Sequence, residues 1–151
     1  MSIFKDCDIR GVYGAELDED TALRLGRALG GHLAGQAVVV GGDLRPSTPS
    51  LKDALIGGLV TSGCHVIDVG TIPTPALYYA KRALHAPGAV MVTASHNPAR
   101  YNGFKLMIGD RPITPETVAD LARAMAANAT PAGTGMVRVE DVLGAYARSL
   151  V

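Results

Sequence analysis

Short apolar runs recur along this chain, and each has the length of a strand rather than of a helix. The runs are bounded by small and polar residues, a pattern that favours buried strands. The predicted strands span residues 37–40, 65–69, 89–93 and 104–108.

Between these runs, leucines recur every fourth residue, as on the buried face of a helix. One stripe, Leu25-Leu29-Leu33, belongs to a helix predicted to open at Asp18, and a second, Leu51-Leu55-Leu59, ends before the helix stop Gly63. Three Thr-Pro pairs precede helical stretches, and we expect threonine as N-cap and proline as the first helical residue of each. The pairs are Thr48-Pro49, Thr74-Pro75 and Thr114-Pro115.

The C-terminal part of the chain differs in composition. Residues 128–135 are rich in Ala, Thr, Pro and Gly and are predicted to form a linker, and a short helix is predicted over residues 139–150. We therefore expect a main domain over residues 1–138 and a C-terminal helix or linker over residues 139–151.

The alternation of strand and helix predicts an α/β fold. Strands joined through helices form a parallel sheet, which describes the first three predicted strands. The fourth follows the third after a loop too short for a parallel crossover, so it should run antiparallel. The expected architecture is a three-layer α/β/α domain with a mixed four-stranded sheet.

Composition excludes several classes of protein. The 14 basic and 14 acidic side chains cancel, so no bulk charge indicates nucleic acid or an anionic membrane. Two cysteines are too few for a disulfide framework or a four-ligand zinc site. No apolar run approaches the roughly 18 residues of a membrane span and no secretory signal is evident, so we expect a cytoplasmic protein.

The segment Thr93-Ala94-Ser95-His96-Asn97-Pro98 is the most informative for function. It follows the third predicted strand, and ligands of open α/β sheets bind at the carboxyl ends of parallel strands. Two further loops, residues 41–45 and 70–72, should meet there. The antiparallel return is expected to bring Lys105 beside Ser95, so that a hydroxyl and a cation share one edge, as a covalent phosphate carrier requires.

This segment, together with Tyr101-Asn102-Gly103-Phe104-Lys105, closely resembles the active-site loop of the α-D-phosphohexomutases, in particular the phosphomannomutase/phosphoglucomutase branch. Asp8-Ile9-Arg10-Gly11 resembles a second signature of that family, and the Asp43-x-Arg45 loop fits as well. Two positions depart from the family pattern: Cys7 stands where a tyrosine is usual, and Gly42 where an arginine is common.

The resemblance implies that Ser95 is phosphorylated and exchanges its phosphoryl group with a hexose phosphate through a bisphosphorylated sugar. It makes Lys105 the general acid/base or phosphate clamp, and it places Arg10 and His96 beside the transferring group. Asn97 would shape the loop and, with Arg10 and Lys105, bind the phosphate or substrate. Glucose or mannose 1,6-bisphosphate would be the activator.

Family members have four domains, and the resemblance covers only the first. It implies that Ser95 shares Mg²⁺ with an aspartate-rich loop of a second domain, and that later domains recognise the sugar. We therefore expect the remaining domains as partners, and little or no mutase activity from residues 1–151 alone.

Two other interpretations remain open at this point. A non-catalytic phosphate- or nucleotide-binding module would use Gly41-Gly42, although neither the G-x-G-x-x-G spacing nor a P-loop lysine is present. A serine hydrolase is less favoured, because Ser95 lacks the G-x-S-x-G elbow. For His96, a bond to the loop backbone is an equal alternative to catalysis, and Arg45 is expected to hold its own loop rather than a phosphate.

Overall fold

The structure, a computed structural model, describes residues 2–128 and 133–151. These residues form seven strands and five helices. The strands are β1 (Ile9–Val12), β2 (Ala37–Gly42), β3 (His65–Thr71), β4 (Gly88–Val92), β5 (Tyr101–Ile108), β6 (Arg111–Pro112) and β7 (Val137–Val139). The helices are α1 (Glu19–Leu33), α2 (Thr48–Thr61), α3 (Thr74–Ala83), α4 (Pro115–Ala127) and α5 (Leu143–Ser149).

All seven strands belong to one mixed sheet of order β1-β5-β4-β2-β3-β7, with β6 paired to β5. β2 pairs in parallel with both β3 and β4, and β5 runs antiparallel to β4, as predicted. The predicted number of four strands is wrong. β1, β6 and β7 were missed because they are two to four residues long and carry Arg, Gly or Pro, so no apolar run marks them.

Side chains alternate between the two faces of the sheet and build a core on each. One core lies under α1, α2 and α4, where the two predicted leucine stripes are buried against Val38, Val40 and Phe104. The other lies under α3 and α5 and contains Val39 and Met91. The three-layer α/β/α prediction is confirmed.

Helix starts follow the predictions only in part. Asp18 caps α1 by accepting a hydrogen bond from the Thr21 amide at 2.9 Å, and Thr114 caps α4 in the same way. The predicted caps Thr48 and Thr74 are wrong, because Ser47 and Pro73 occupy the N-cap positions and neither makes a side-chain capping bond. The Thr48 hydroxyl is used elsewhere, as described below.

The C-terminal helix begins later than predicted. Residues 137–139 form β7, parallel to β3, and α5 starts only at Leu143. Part of the predicted linker, residues 129–132, lies outside the described residues. Among those that are described, no helix has the length and apolar character needed to cross a membrane.

Backbones approach closely where α1 crosses α2. A Cβ atom added at Gly26 would overlap the backbone oxygen of Leu55, and one added at Gly58 would overlap the backbone oxygen of Leu23. The two glycines therefore allow the helices to touch without intervening side chains.

Candidate functional site

A cavity of about 720 Å³ opens at the carboxyl edge of the parallel strands. Its lining comes from the loops after β2, β3 and β4, and these are the three loops that the sequence predicted to meet. The lining residues include Asp43, Arg45, Ile72, Ser95 and Asn97. Ser95 thus lies where an α/β sheet places its ligands.

Ser95 has an unusual backbone conformation. Its φ is +56°, in the left-handed region that non-glycine residues rarely adopt. The Ser95 amide donates to the Thr93 hydroxyl oxygen at 3.0 Å, and the residue is exposed. Within residues 2–128 and 133–151, the Ser95 hydroxyl makes no hydrogen bond, so the strained turn displays this hydroxyl towards the cavity.

The Arg45 side chain holds the serine loop by its backbone oxygens. Its guanidinium donates to the backbone oxygens of Ser95 at 2.8 Å, Asn97 at 2.7 Å, Pro98 at 2.7 Å and Tyr101 at 3.0 Å. The remaining donor, Nε, reaches Asp43 at 3.1 Å, so all five N–H groups of the side chain are used. Arg45 therefore positions the loop of Ser95 as well as its own, and it retains no donor for a phosphate.

The Asp43 carboxylate joins this loop to the sheet and to α2. It accepts hydrogen bonds from the Thr93 hydroxyl at 2.6 Å, the Thr48 hydroxyl at 2.7 Å and the Arg45 amide at 3.0 Å. Burial alone would raise the pKa of Asp43, but these hydrogen bonds and the charge of Arg45 together hold that pKa below its ordinary value. The carboxylate is thus ionised at neutral pH and orients four groups around the loop.

The buried side-chain amide of Asn102 joins the same hydrogen-bond network. Asn102 is fully buried, and its side-chain nitrogen donates to the hydroxyls of Ser47 at 2.8 Å and Thr48 at 3.0 Å. Its side-chain oxygen accepts from the Gly103 amide at 2.8 Å. Asn102 belongs to the sequence motif, but no role was predicted for it. Its position next to a predicted buried strand could have indicated a buried, hydrogen-bonded amide.

Arg10 enters the site from β1, which no sequence pattern marked as a strand. β1 pairs antiparallel with β5, and Arg10 lies opposite Gly103. The Arg10 side chain forms an ion pair with Asp8 and donates to the side-chain oxygen of Asn97 at 2.9 Å. A residue 87 positions earlier in the chain is thereby attached to the serine loop.

The strand register does not place Lys105 opposite Ser95. β5 begins at Tyr101, three residues earlier than predicted, and Lys105 pairs with Met91 of β4. Lys105 lines a separate cavity of about 500 Å³ together with Cys7, Asp8 and Arg10. The hydrogen bond between Arg10 and Asn97 links this second cavity to the one that contains Ser95.

The predicted roles of His96 and of a metal ion find no supporting contacts among the described residues. His96 is exposed and makes no hydrogen bond within the described part of the chain. In that same part, no three His, Cys, Asp or Glu side chains are grouped to hold a metal ion. Ser95 offers one oxygen ligand, which is not a magnesium site by itself.

Together, the fold and the site define an α/β/α domain that presents a clamped serine loop at the carboxyl edge of its sheet, with cationic side chains on the adjoining strands. Residues 1–133 match the family described as Phosphoglucomutase/phosphomannomutase, alpha/beta/alpha domain I. The chain belongs to this family.

Proteins of several bacteria are similar to this chain in sequence. The Phosphomannomutase/phosphoglucomutase of Pseudomonas putida is 43% identical over 153 residues, which cover 99% of this chain and 33% of that protein. A Phosphomannomutase of Klebsiella pneumoniae is 42% identical over 97% of both chains. The chain thus spans about a third of the length of the Pseudomonas relative.

Solved structures have the same fold. A phosphoglucomutase/phosphomannomutase family protein from Burkholderia thailandensis superposes with a TM-score of 0.88 at 38% identity, over 95% of this chain and 34% of the other. A putative phosphomannomutase from Thermus thermophilus gives 0.82 at 37% identity, over 97% of this chain and 35% of the other.

Proposed function

We propose that this chain is the serine-bearing domain of a phosphomannomutase/phosphoglucomutase, in which Ser95 carries the phosphoryl group. The reaction moves a phosphoryl group between C1 and C6 of a hexose phosphate through a bisphosphorylated sugar. The observation that carries the proposal is Ser95 itself: an exposed hydroxyl on a left-handed turn whose backbone is fixed by Arg45 and Thr93.

The geometry suits phosphoryl transfer because that chemistry depends on positioning and on charge rather than on covalent help from the protein. A phosphoserine carries about −1.5 to −2 charges near neutral pH. Arg10, already bonded to the serine loop through Asn97, supplies a fixed positive charge beside it. His96, the residue after Ser95, adds a donor at the open side of the loop.

Lys105 acts in this proposal as a phosphate clamp of the second cavity. It shares that cavity with Arg10, so substrate oxygens bound there would meet two cations, one of which also contacts the serine loop. The site of substrate binding therefore extends from Ser95 past Asn97 and Arg10 to Lys105, along one face of β5.

Magnesium, when bound, would neutralise charge on the transferring group. Among the described residues, no three His, Cys, Asp or Glu side chains are grouped to hold it; in this proposal Ser95 supplies one oxygen ligand and the others come from outside these residues. The same holds for recognition of the sugar and of the 1,6-bisphosphate activator. We accordingly propose that residues 1–138 are the first domain, that residues 139–151 lead towards a second domain, and that the complete enzyme is cytoplasmic.

A chimera tests this proposal. Residues 1–151 replace the matching third of the Pseudomonas putida relative, and mutase turnover is measured for the chimera and for its Ser95→Ala variant. We expect an active chimera that loses roughly 1,000-fold or more of kcat with Ser95→Ala, the order found when a nucleophile is removed. The matched control is Ser50→Ala, an exposed serine of α2, which should keep full activity.

A second measurement examines the serine directly. The chimera is incubated with glucose 1,6-bisphosphate and analysed by intact-mass and peptide mass spectrometry. One phosphoryl group on Ser95 supports the proposal. An active Ser95→Ala chimera, or covalent labelling of Ser95 by a fluorophosphonate with no phosphoryl uptake, would contradict it and favour a hydrolase.

A further inference from the structure

A third cavity, of about 700 Å³, lies at the opposite edge of the sheet from Ser95. It is formed where α3 ends and where β5 ends, next to the start of β4. Its polar lining consists of Tyr78, Lys81, Arg82, His85 and Asp110. No residue of the serine loop contributes to it, and of its lining residues Tyr78 also lines the cavity that contains Lys105.

Lys81 is the unusual member of this group. Only 7% of its surface is exposed, although lysine is almost never buried without a partner. Within the described residues, Lys81 forms no ion pair and no side-chain hydrogen bond, and its ammonium nitrogen is not among the fully buried atoms that lack a partner. The buried part is therefore the hydrocarbon stem, and the nitrogen remains accessible at its end. Lys52 shows the ordinary arrangement, because its ammonium group lies 2.8 Å from the Asp68 carboxylate.

The helix dipole does not account for this burial. Cations are favourable in the last turn of a helix, where Lys81 and Arg82 lie. That effect operates at the surface, however, and the carbonyls of this turn are already satisfied by backbone amides: Ala80 accepts from Leu84 at 2.9 Å, and Lys81 accepts from Ala86 at 3.0 Å. The ammonium group of Lys81 instead borders the cavity.

We infer that this cavity is a binding site for a small phosphate-bearing anion, with the Lys81 ammonium group, at the end of its buried stem, as one of its cations. Lys81 and Arg82 outnumber the single carboxylate, Asp110, so the lining favours negative charge. Arg82 can present paired donors to phosphate oxygens. His85 adds a ring nitrogen, held in a left-handed conformation with φ of +52°. The volume lies within the range of small-molecule sites, roughly 300–1,000 Å³.

The inference does not rest on the proposed role of Ser95. The cavity beside Lys81 shares no lining residue with the cavity that contains Ser95 and lies at the other edge of the sheet, so an anion bound near Lys81 would be a second ligand and not the transferring group. Inorganic phosphate and a sugar phosphate present the same chemistry, and they must be separated by experiment.

The experiment is an NMR titration of the ¹⁵N-labelled chain with inorganic phosphate, and in a second arm with glucose 6-phosphate, each against sodium chloride of equal ionic strength. We expect saturable shifts of amides in residues 81–88 and 107–110. Saturation by phosphate alone identifies free phosphate as the ligand, and tighter saturation by the ester identifies a sugar phosphate.

Variants assign the binding to the cavity. Lys81→Met removes the charge with little change of length and should weaken binding at least tenfold, whereas Arg138→Gln, an exposed cation of β7, should leave it unchanged. Arg82→Gln should also weaken binding. Because Arg82 is exposed, this variant replaces Lys81→Met in the test if Lys81→Met does not fold. Ser95→Ala should bind normally. The inference would be overturned by shifts confined to residues 5–10 and 95–105. It would also be overturned if both Lys81→Met and Arg82→Gln bound phosphate with the affinity of the parent.

Discussion

The contact between α1 and α2 and the loop that carries Ser95 are held in different ways. The helices meet through glycine backbones at Gly26 and Gly58 and through buried leucines. In the serine loop, by contrast, Arg45 and Thr93 form hydrogen bonds to the backbone of Ser95, and Asp43 holds the Thr93 hydroxyl.

This difference shows how stability and function are divided in the molecule. Close packing tolerates almost no added volume, because a rigid backbone cannot move aside. A hydrogen-bonded loop keeps its position only while each donor is present, but it leaves the Ser95 hydroxyl free. Damage to the helix contact should therefore unfold the domain, whereas damage to the loop network should displace the serine within a folded domain.

The largest expected effect on stability is that of Gly26→Ala. The new Cβ would overlap the Leu55 backbone oxygen, so α1 and α2 must separate. We expect a loss of about 3 kcal/mol in the free energy of unfolding, the upper part of the range for overpacking. Urea denaturation followed by circular dichroism measures it.

Gly57→Ala is the matched control, one residue from Gly58 in α2. A Cβ there would meet only a Leu23 side-chain carbon at 3.9 Å. Alanine favours a helix over glycine by roughly 0.8–1.0 kcal/mol, so this variant should be more stable than the parent. If Gly26→Ala and Gly57→Ala changed the free energy of unfolding by the same amount, the α1–α2 contact would not be closely packed at Gly26.

An intermediate effect is expected for Arg45→Met. It leaves four loop carbonyls without their donor and removes the charge beside Asp43. We predict a stability loss of about 2 kcal/mol and, in the chimera, a fall in kcat of roughly 100-fold, because a displaced nucleophile loses its alignment. Amide hydrogen exchange in residues 95–101 should increase selectively.

Arg123→Met serves as the comparison for this prediction. Arg123 is an exposed arginine of α4 that also pairs with an aspartate, Asp120; exposed pairs contribute roughly 0–1 kcal/mol. If Arg45→Met leaves exchange in the loop unchanged, the guanidinium is not what holds Ser95 in place.

The smallest effect concerns pH. The pKa of Asp43 is lower in the folded protein than its ordinary value of 3.8. Stability from this group is therefore complete above that value and is lost as the pH falls through the lower folded pKa. We expect the parent to lose about 1 kcal/mol more than Asp43→Asn between pH 5 and the acid limit of folding, the order of one ordinary hydrogen bond, because the Asp43 side chain is partly exposed to solvent. Parallel loss in both proteins would exclude Asp43 as the source.

Much of the framework follows from local pattern. The leucine stripes of α1 and α2, the cap at Asp18 and the antiparallel turn between β4 and β5 were predicted because each depends on residues close in sequence. The same holds for Ser95 at a strand end, since an apolar run followed by Thr-Ala-Ser marks that position directly. The family resemblance agrees with these predictions, and its assignment was confirmed by the match over residues 1–133.

The remaining features depend on contacts between distant residues. β1 is a strand only because β5 supplies its partner, and Arg45 reaches carbonyls more than 50 positions away. Lys105 was placed beside Ser95 by assuming where β5 begins, and hydrogen-bond register, which no local pattern encodes, puts it opposite Met91. The sequence by itself determined the four longest strands, the helices between them and their order, and it singled out Ser95 at a strand end. Only the tertiary structure decided the strand register, the support of the loop and the burial of Lys81, because side chains far apart in the chain meet only once the sheet has formed.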